Sequence, residues 1–209
     1  MEPLDRRLDD LLAAAGADGR VILGIAGPPG AGKSTLAAAL VERAERRHGP
    51  GSAVVLPMDG FHLANEVLVA LGRRQRKGAP DTFDAGGLAS LVQRVAQRDE
   101  PVVYAPRFDR RQEETIAGAI AIDVAIPLVV IEGNYLLLPE DPWSRVGACL
   151  TEGWYLDTPL AVCTERLLAR ARATYGPEGT AWVEHVDQPN GRIVTTTKDR
   201  ADLVVPGAQ

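Results

Sequence analysis

"GPPGAGKST" at residues 27–35 decides how this chain folds. Gly27, four further residues, then Gly32, Lys33 and Ser34 match the pattern G-x-x-x-x-G-K-[ST]. Glycines let successive backbone N–H groups curl around phosphate oxygens without side chains blocking the approach. Lys33 then reaches the outer phosphates and the Ser34 hydroxyl ligates Mg²⁺. The stretch marks Gly27, Pro29, Gly30, Ala31, Gly32, Lys33, Ser34 and Thr35 as a nucleotide cradle, with ATP and Mg²⁺ as its expected occupants.

Such a loop works only between a buried strand and a helix whose N-terminus faces the anion. "RVILGIAG" supplies the strand, and "KSTLAAALVERAERRHG" supplies the helix, with basic residues in its last turn and Gly49 as its stop. Further apolar runs follow in "SAVVLPMD", "PVVYAP", "PLVVIEGNYLLL", "GWYLDTP" and "ADLVVPG". Helical patterns in "GGLASLVQRVAQRDE" and "LAVCTERLLARARATYG" lie between them. This alternation predicts an α/β fold, a mainly parallel sheet with helices on both faces, in which ligands gather beyond the carboxyl ends of the strands.

The 209 residues suit one domain, with a helix over about 1–19 and a small helical lid over about 166–186. Hydrophobic residues at 45% and charged ones at 24% describe an ordinary soluble chain. A net charge of −5 argues against nucleic acid as a partner, because phosphate backbones are met by clustered Lys and Arg. The segment "MEPLDRRLDDLLAAAGADGR" is too broken by charge for a signal peptide or a membrane span. Its Leu4, Leu8, Leu11 and Ala15 share one helical face that would pack on the domain. Cys149 and Cys163 have no partner at metal or redox spacing, which fits free thiols in a cytoplasmic protein. "GRRQRKGAPD" at 72–81 reads either as a solvated loop or as one facing an anionic ligand. A homodimer stays open.

Polar groups at strand ends are the candidate chemistry. Asp59 follows an apolar run and precedes Gly60, which allows a sharp turn and close approach of a ligand. It suits a general base that takes a hydroxyl proton during phosphoryl transfer, and it suits a helix N-cap equally well. Glu132 ends "PLVVIE" and, with Ser34, forms the metal-side pair. Asp81, Asp84, Tyr104, Arg107, Asp109 and Arg110 lie between Asp59 and Glu132 in sequence, a mixture suited to gripping a polyhydroxylated or anionic small molecule. Arg166 and Arg170 fall four apart on a helix, with Arg172 on another face. Arginines closing over the phosphates would neutralise transition-state charge.

Together these stretches resemble the uridine kinase, pantothenate kinase and phosphoribulokinase group of phosphate-loop kinases. "MDGFH" looks like the group's aspartate-containing substrate motif, "GAPDTFDAGGLASLVQRV" its Pro-Asp-x-Phe-Asp segment, "VVIEGNYLL" its Glu-Gly strand end and "ADLVVPG" its closing strand. The resemblance implies an ATP-dependent transfer to an alcohol, with Asp59 as base, Lys33 and Ser34 on phosphates and Mg²⁺, Glu132 as second acid and Arg166, Arg170 or Arg172 in the lid. Asp59, His62, Asp84, Tyr104, Arg107 and Arg110 would face the acceptor. "RFDRRQEE" lacks the histidine that uridine kinases carry after their Tyr-Asp, so the acceptor stays open among nucleosides, sugars and pantothenate-like alcohols. The nearest overall likeness is to the nucleoside kinase-like and fructose-transport-associated kinases of bacteria. Two rivals remain. A GTPase would need [NT]-K-x-D, whereas "TTTKDR" puts Asp199 directly after Lys198. A nucleotide-binding module without an acceptor would have no use for Asp59 or the lid arginines.

Overall fold

The apolar runs around the loop are unbroken because both of their faces are covered. In the computed structural model, which describes residues 2–16, 19–176 and 179–207, the chain opens with α1 (Glu2–Ala15), β1 (Val21–Ala26), α2 (Lys33–His48) and β2 (Ala53–Pro57). It continues through α3 (Asn65–Ala70), α4 (Ala85–Gln97), β3 (Val102–Asp109), β4 (Glu114–Asp123), β5 (Leu128–Glu132) and α5 (Trp143–Gly147). It closes with β6 (Glu152–Asp157), α6 (Leu160–Tyr175), α7 (Gly179–Trp182), a π-helical turn (Val183–Asp187), α8 (Gln188–Thr195) and β7 (Leu203–Pro206).

Five parallel strands form the sheet, in the order β2-β5-β1-β6-β7. Successive residues of β1 point to opposite faces. Ile22 joins Leu88 and Val92 of α4 and Trp143 of α5 on one side. Leu23 and Ile25 join Ala37 and Leu40 of α2, Leu8 of α1 and Trp154 of β6 on the other. Leu40 is wholly buried, so Leu40→Ala would cost about 2–5 kcal/mol. The predicted α1 face packs as its spacing requires, with Leu4, Leu11 and Ala15 beside Leu8. Its polar side is tied down by ion pairs from Asp5 to Arg43 and from Asp9 to Arg47. Arg7 reaches the buried Glu152 at 2.8 Å.

One sequence expectation fails. "PVVYAP" does not join the parallel sheet: as β3 it pairs antiparallel with β4 in a separate two-stranded hairpin. The turn carries no Asn-Gly or Gly-rich signal. It is made by the Asp109 carboxylate, which accepts from the N–H groups of Arg111 and Gln112 at 2.8 and 3.2 Å, and by Glu113 in the left-handed region. The Arg20 guanidinium anchors the hairpin's base, donating to the carbonyls of Asp123, Val124 and Ile126, and to that of Val95 in α4, at 2.7 to 2.9 Å.

Candidate functional site

Strand register places the site. Glu132 pairs with Ile25 on one side and Pro57 on the other, so β1, β5 and β2 end level. From that rim the chain leaves into the glycine loop, into the residues after Glu132, and into a short 3₁₀ turn (Met58–Phe61).

The loop is preformed. Gly30 has φ +79°, and a Cβ there would lie 2.7 Å from the Cys163 carbonyl oxygen, so only glycine fits between the loop and α6. Gly32, also left-handed, leads into α2 with no side-chain cap, leaving the helix N-terminus for an anion. Lys33 is 7% exposed. Its ammonium donates to Pro28 O at 3.0 Å and Asn134 Oδ1 at 2.6 Å, and burial holds its pKa below the ordinary lysine value. The Ser34 hydroxyl donates to Glu132 Oε1 at 2.9 Å. Burial first, and then the negative charge of Asp59, push the Glu132 carboxyl above its usual range. Thr35 lies on the exposed first turn of α2.

Asp59 lies inside the 3₁₀ turn, which begins after Pro57, and its carboxylate caps no helix. It accepts from Arg110 at 3.2 Å, across from the hairpin tip. Gly60 has a different use from the one its sequence suggests: a Cβ would meet Pro106 O of β3 at 2.4 Å, so the close approach is that of the hairpin backbone. The Nδ1–H of His62 donates to Asp59 O, 2.8 Å away, with the ring against Phe83 and Phe108 at 4.0 and 4.8 Å. Burial lowers its pKa, so the imidazole is neutral at pH 7.

The remaining candidates divide. Asp84 caps α4, accepting from Gly87 N at 2.8 Å. Tyr104 is 61% exposed on the hairpin, and Arg107 is exposed on the same strand. Asp81 pairs with Arg76 and Arg73, and Asp109 builds the turn that presents Arg110. The 72–81 segment is thus not wholly solvated. Its Lys77 is buried, donating to Asn65 Oδ1 and Glu113 O, 5.0 Å from the Phe108 ring centre. On α6, Arg166 reaches the loop carbonyl of Ala31 at 3.3 Å, and Arg170 is close enough to influence Lys33. Arg172 is exposed further along the helix.

Sequence reasoning missed four participants. Asn134, two residues beyond Glu132, holds Lys33, and its position directly after the Glu-Gly strand end was the available signal. Tyr135 is buried and donates to Gly78 O, and Asn190 Nδ2 reaches the same carbonyl at 3.1 Å. Asp187 is half-buried, within electrostatic reach of Arg170 and Arg110. Nothing in "VEHVDQPN" marked it.

Comparison with other proteins places this geometry. No family model matches the sequence. A protein of Escherichia coli K12 named "Uncharacterized protein YggC" is 32% identical over 188 residues, 89% of this chain and 77% of that protein. The "Putative uridine kinase C227.14" of Schizosaccharomyces pombe is 36% identical over 160 residues, covering 75% of this chain and 66% of that one. Among solved structures, the "putative fructose transport system kinase" from Silicibacter sp. TM1040 superposes with a TM-score of 0.82 at 33% identity, covering 94% of this chain and 98% of its own.

Proposed function

The chain belongs to the phosphate-loop kinases of the uridine kinase and pantothenate kinase group, and we propose that it moves the γ-phosphate of ATP to a hydroxyl of a small metabolite. The observation that carries this reading is Asp59. It is a strand-end carboxylate beside the loop, spent on no helix cap, electrostatically felt by both Lys33 and Glu132. A nucleotide cradle alone has no use for such a group.

In this reading Lys33 gives up its contacts with Pro28 O and Asn134 for the outer phosphates, a charge-assisted exchange in a water-poor site. Ser34 and Glu132 fit Mg²⁺, since a hydroxyl and a carboxylate are the hard oxygen donors it takes, and burial disfavours leaving Glu132 charged and alone. The ion would neutralise phosphate charge there. Asp59 orients the acceptor hydroxyl and takes its proton as the new O–P bond forms and the bond to the ADP oxygen breaks. Arg110 frees Asp59 as the acceptor enters, and His62, Tyr104 and Arg107 border that side. Arg166, Arg170 or Arg172 screens the charge on the transferring group as the lid region closes. The protein would work in the cytoplasm on a small-molecule partner. Among the described residues no helix is long and apolar enough to cross a membrane.

The test is a screen of nucleosides, sugars and pantothenate for acceptor-stimulated ADP release. One class should raise ADP formation in step with a phosphoester product. Equal ADP release with and without every acceptor would leave only the cradle.

A further inference from the structure

Resting on the phosphotransfer reading, the group that meets the proposed base needs a support of its own. Arg110 reaches Asp59 at 3.2 Å from the tip of the hairpin. Asp109 pairs with Glu114 there, so residues 110–113 form the tip, with Arg110 at one end and Glu113 at the other. Arg20 holds the hairpin's base, and the Gly60 backbone packs against its middle at Pro106. The tip lies beyond both. Its own bonds to the Asp109 carboxylate shape the turn but do not fix where the turn stands relative to Asp59.

Lys77 supplies a contact from outside. It is 6% exposed, and its ammonium donates to Glu113 O at 2.8 Å and to Asn65 Oδ1 at 2.9 Å. Asn65 Nδ2 donates in turn to Glu114 Oε1 at 2.9 Å, so α3 and the 72–81 segment hold the tip together. The ammonium also stands 5.0 Å from the centre of the Phe108 ring, which packs at 4.8 Å on His62, the residue bonded to Asp59 O. The strut is rooted in the fold. Gly78, the next residue, donates to the buried Thr82 hydroxyl at 2.9 Å, and its carbonyl accepts from Tyr135 in the core and from Asn190 at 3.1 Å.

Among the described residues no carboxylate lies within ion-pair distance of Lys77. A buried cation with only neutral partners costs stability, and a site that asked for packing alone would be better filled by an apolar chain of the same length. What lysine adds is donors, and here they tie two separate segments to one point.

We propose that Lys77 is a positioning residue of the acceptor side, bracing the hairpin tip so that Arg110 stands at Asp59 where the acceptor enters.

The experiment is a double-mutant cycle on the intact chain. Uridine, ribose, fructose and pantothenate are tried as acceptor probes, and KM and kcat are taken with the one that most stimulates ADP formation by wild type. Lys77→Met keeps the length and the apolar stem and removes the donors. It should raise the acceptor KM about tenfold, the scale of losing hydrogen bonds from a charged group, with kcat and magnesium–ATP affinity within about twofold. In an Arg110→Ala background, where the group to be positioned is gone, the same change should add no more than about twofold. A Lys77 that served folding alone would lower the active fraction, and so the apparent kcat, and leave KM where it was. If Lys77→Met yields no folded protein, Asn65→Ala takes its place in the cycle, because it cuts the amide shared by Lys77 and Glu114; its KM shift should be about threefold or more. An unchanged acceptor KM, or shifts that multiply with that of Arg110→Ala, would overturn the proposal alone. Absence of stimulation by every probe in wild type would overturn the phosphotransfer reading and this proposal with it.

Discussion

Lys33 is 7% exposed and bonded on two sides, whereas Arg110, across the same cleft, has a side chain 61% exposed and bonds Asp59 alone among the described residues. The nucleotide side is fixed by backbone: Gly30 has no room for a Cβ, and Glu132 is locked in register between β1 and β2. The acceptor side is assembled from long side chains on a hairpin and a helix, with Gly60 held by the hairpin backbone beside Asp59. The contrast suits an enzyme whose donor is fixed and whose acceptor contacts form on binding. One half is preorganised; the other is ordered by the substrate it selects.

Substitutions on the two sides should therefore fail differently. Lys33→Ala should have the largest effect, lowering kcat/KM by roughly 10³-fold with weakened nucleotide binding, because it removes the buried charge on the group that moves. Isothermal titration with ATP alongside turnover checks this, and unchanged values in both would break the nucleotide half. Arg170→Ala should lower kcat by about 10²-fold with nucleotide affinity nearly intact, since its contact is made chiefly in the transition state. Arg166→Ala and Arg172→Ala are the controls, and wild-type kcat in all three would remove the lid arginines.

A smaller effect concerns stability. Burial pushes Asp187 up to about 6 from its unfolded value of 3.8. A raised carboxyl pKa gives a contribution that is whole below about pH 4 and lost as pH rises through about 6. Asp187→Asn should therefore match wild type near pH 4 and exceed it at pH 8. The gain should be on the order of 1 kcal/mol, with about 3 as the limit for a shift of that size. Denaturant melts of the ligand-free protein across that range would show it; a gain equal at both ends would assign the effect to packing. The smallest effect sharpens the contrast between helix faces. Arg172→Ala, exposed and without a bond to the loop carbonyls among the described residues, should leave kcat within about twofold.

The same asymmetry explains what could be read in the sequence. The strand, loop and helix around Lys33 were legible because glycine spacing and apolar runs are local signals of backbone geometry. That the chemistry would sit on polar groups ending the strands of a parallel sheet followed from the alternation. The hairpin was not legible, since Asp109 makes its turn with a side chain and "DRRQE" resembles any charged loop. Asp84 read as an acceptor contact, yet in the fold its carboxylate caps α4. Asn134 stood in plain view beside Glu132, but an amide at a strand end has many ordinary uses.

The central claim is that the cleft holds an enzyme and that Asp59 is its base. Asp59→Asn keeps the size and most of the hydrogen-bonding capacity of the side chain while removing its ability to take a proton. ATP binding and acceptor-dependent turnover should be measured on the same preparation. The expected result is magnesium–ATP affinity within about twofold of wild type and turnover reduced by about 10²-fold or more. Turnover near the wild-type rate with a verified acceptor would contradict it, leaving the phosphate loop in place and Asp59 without the proton.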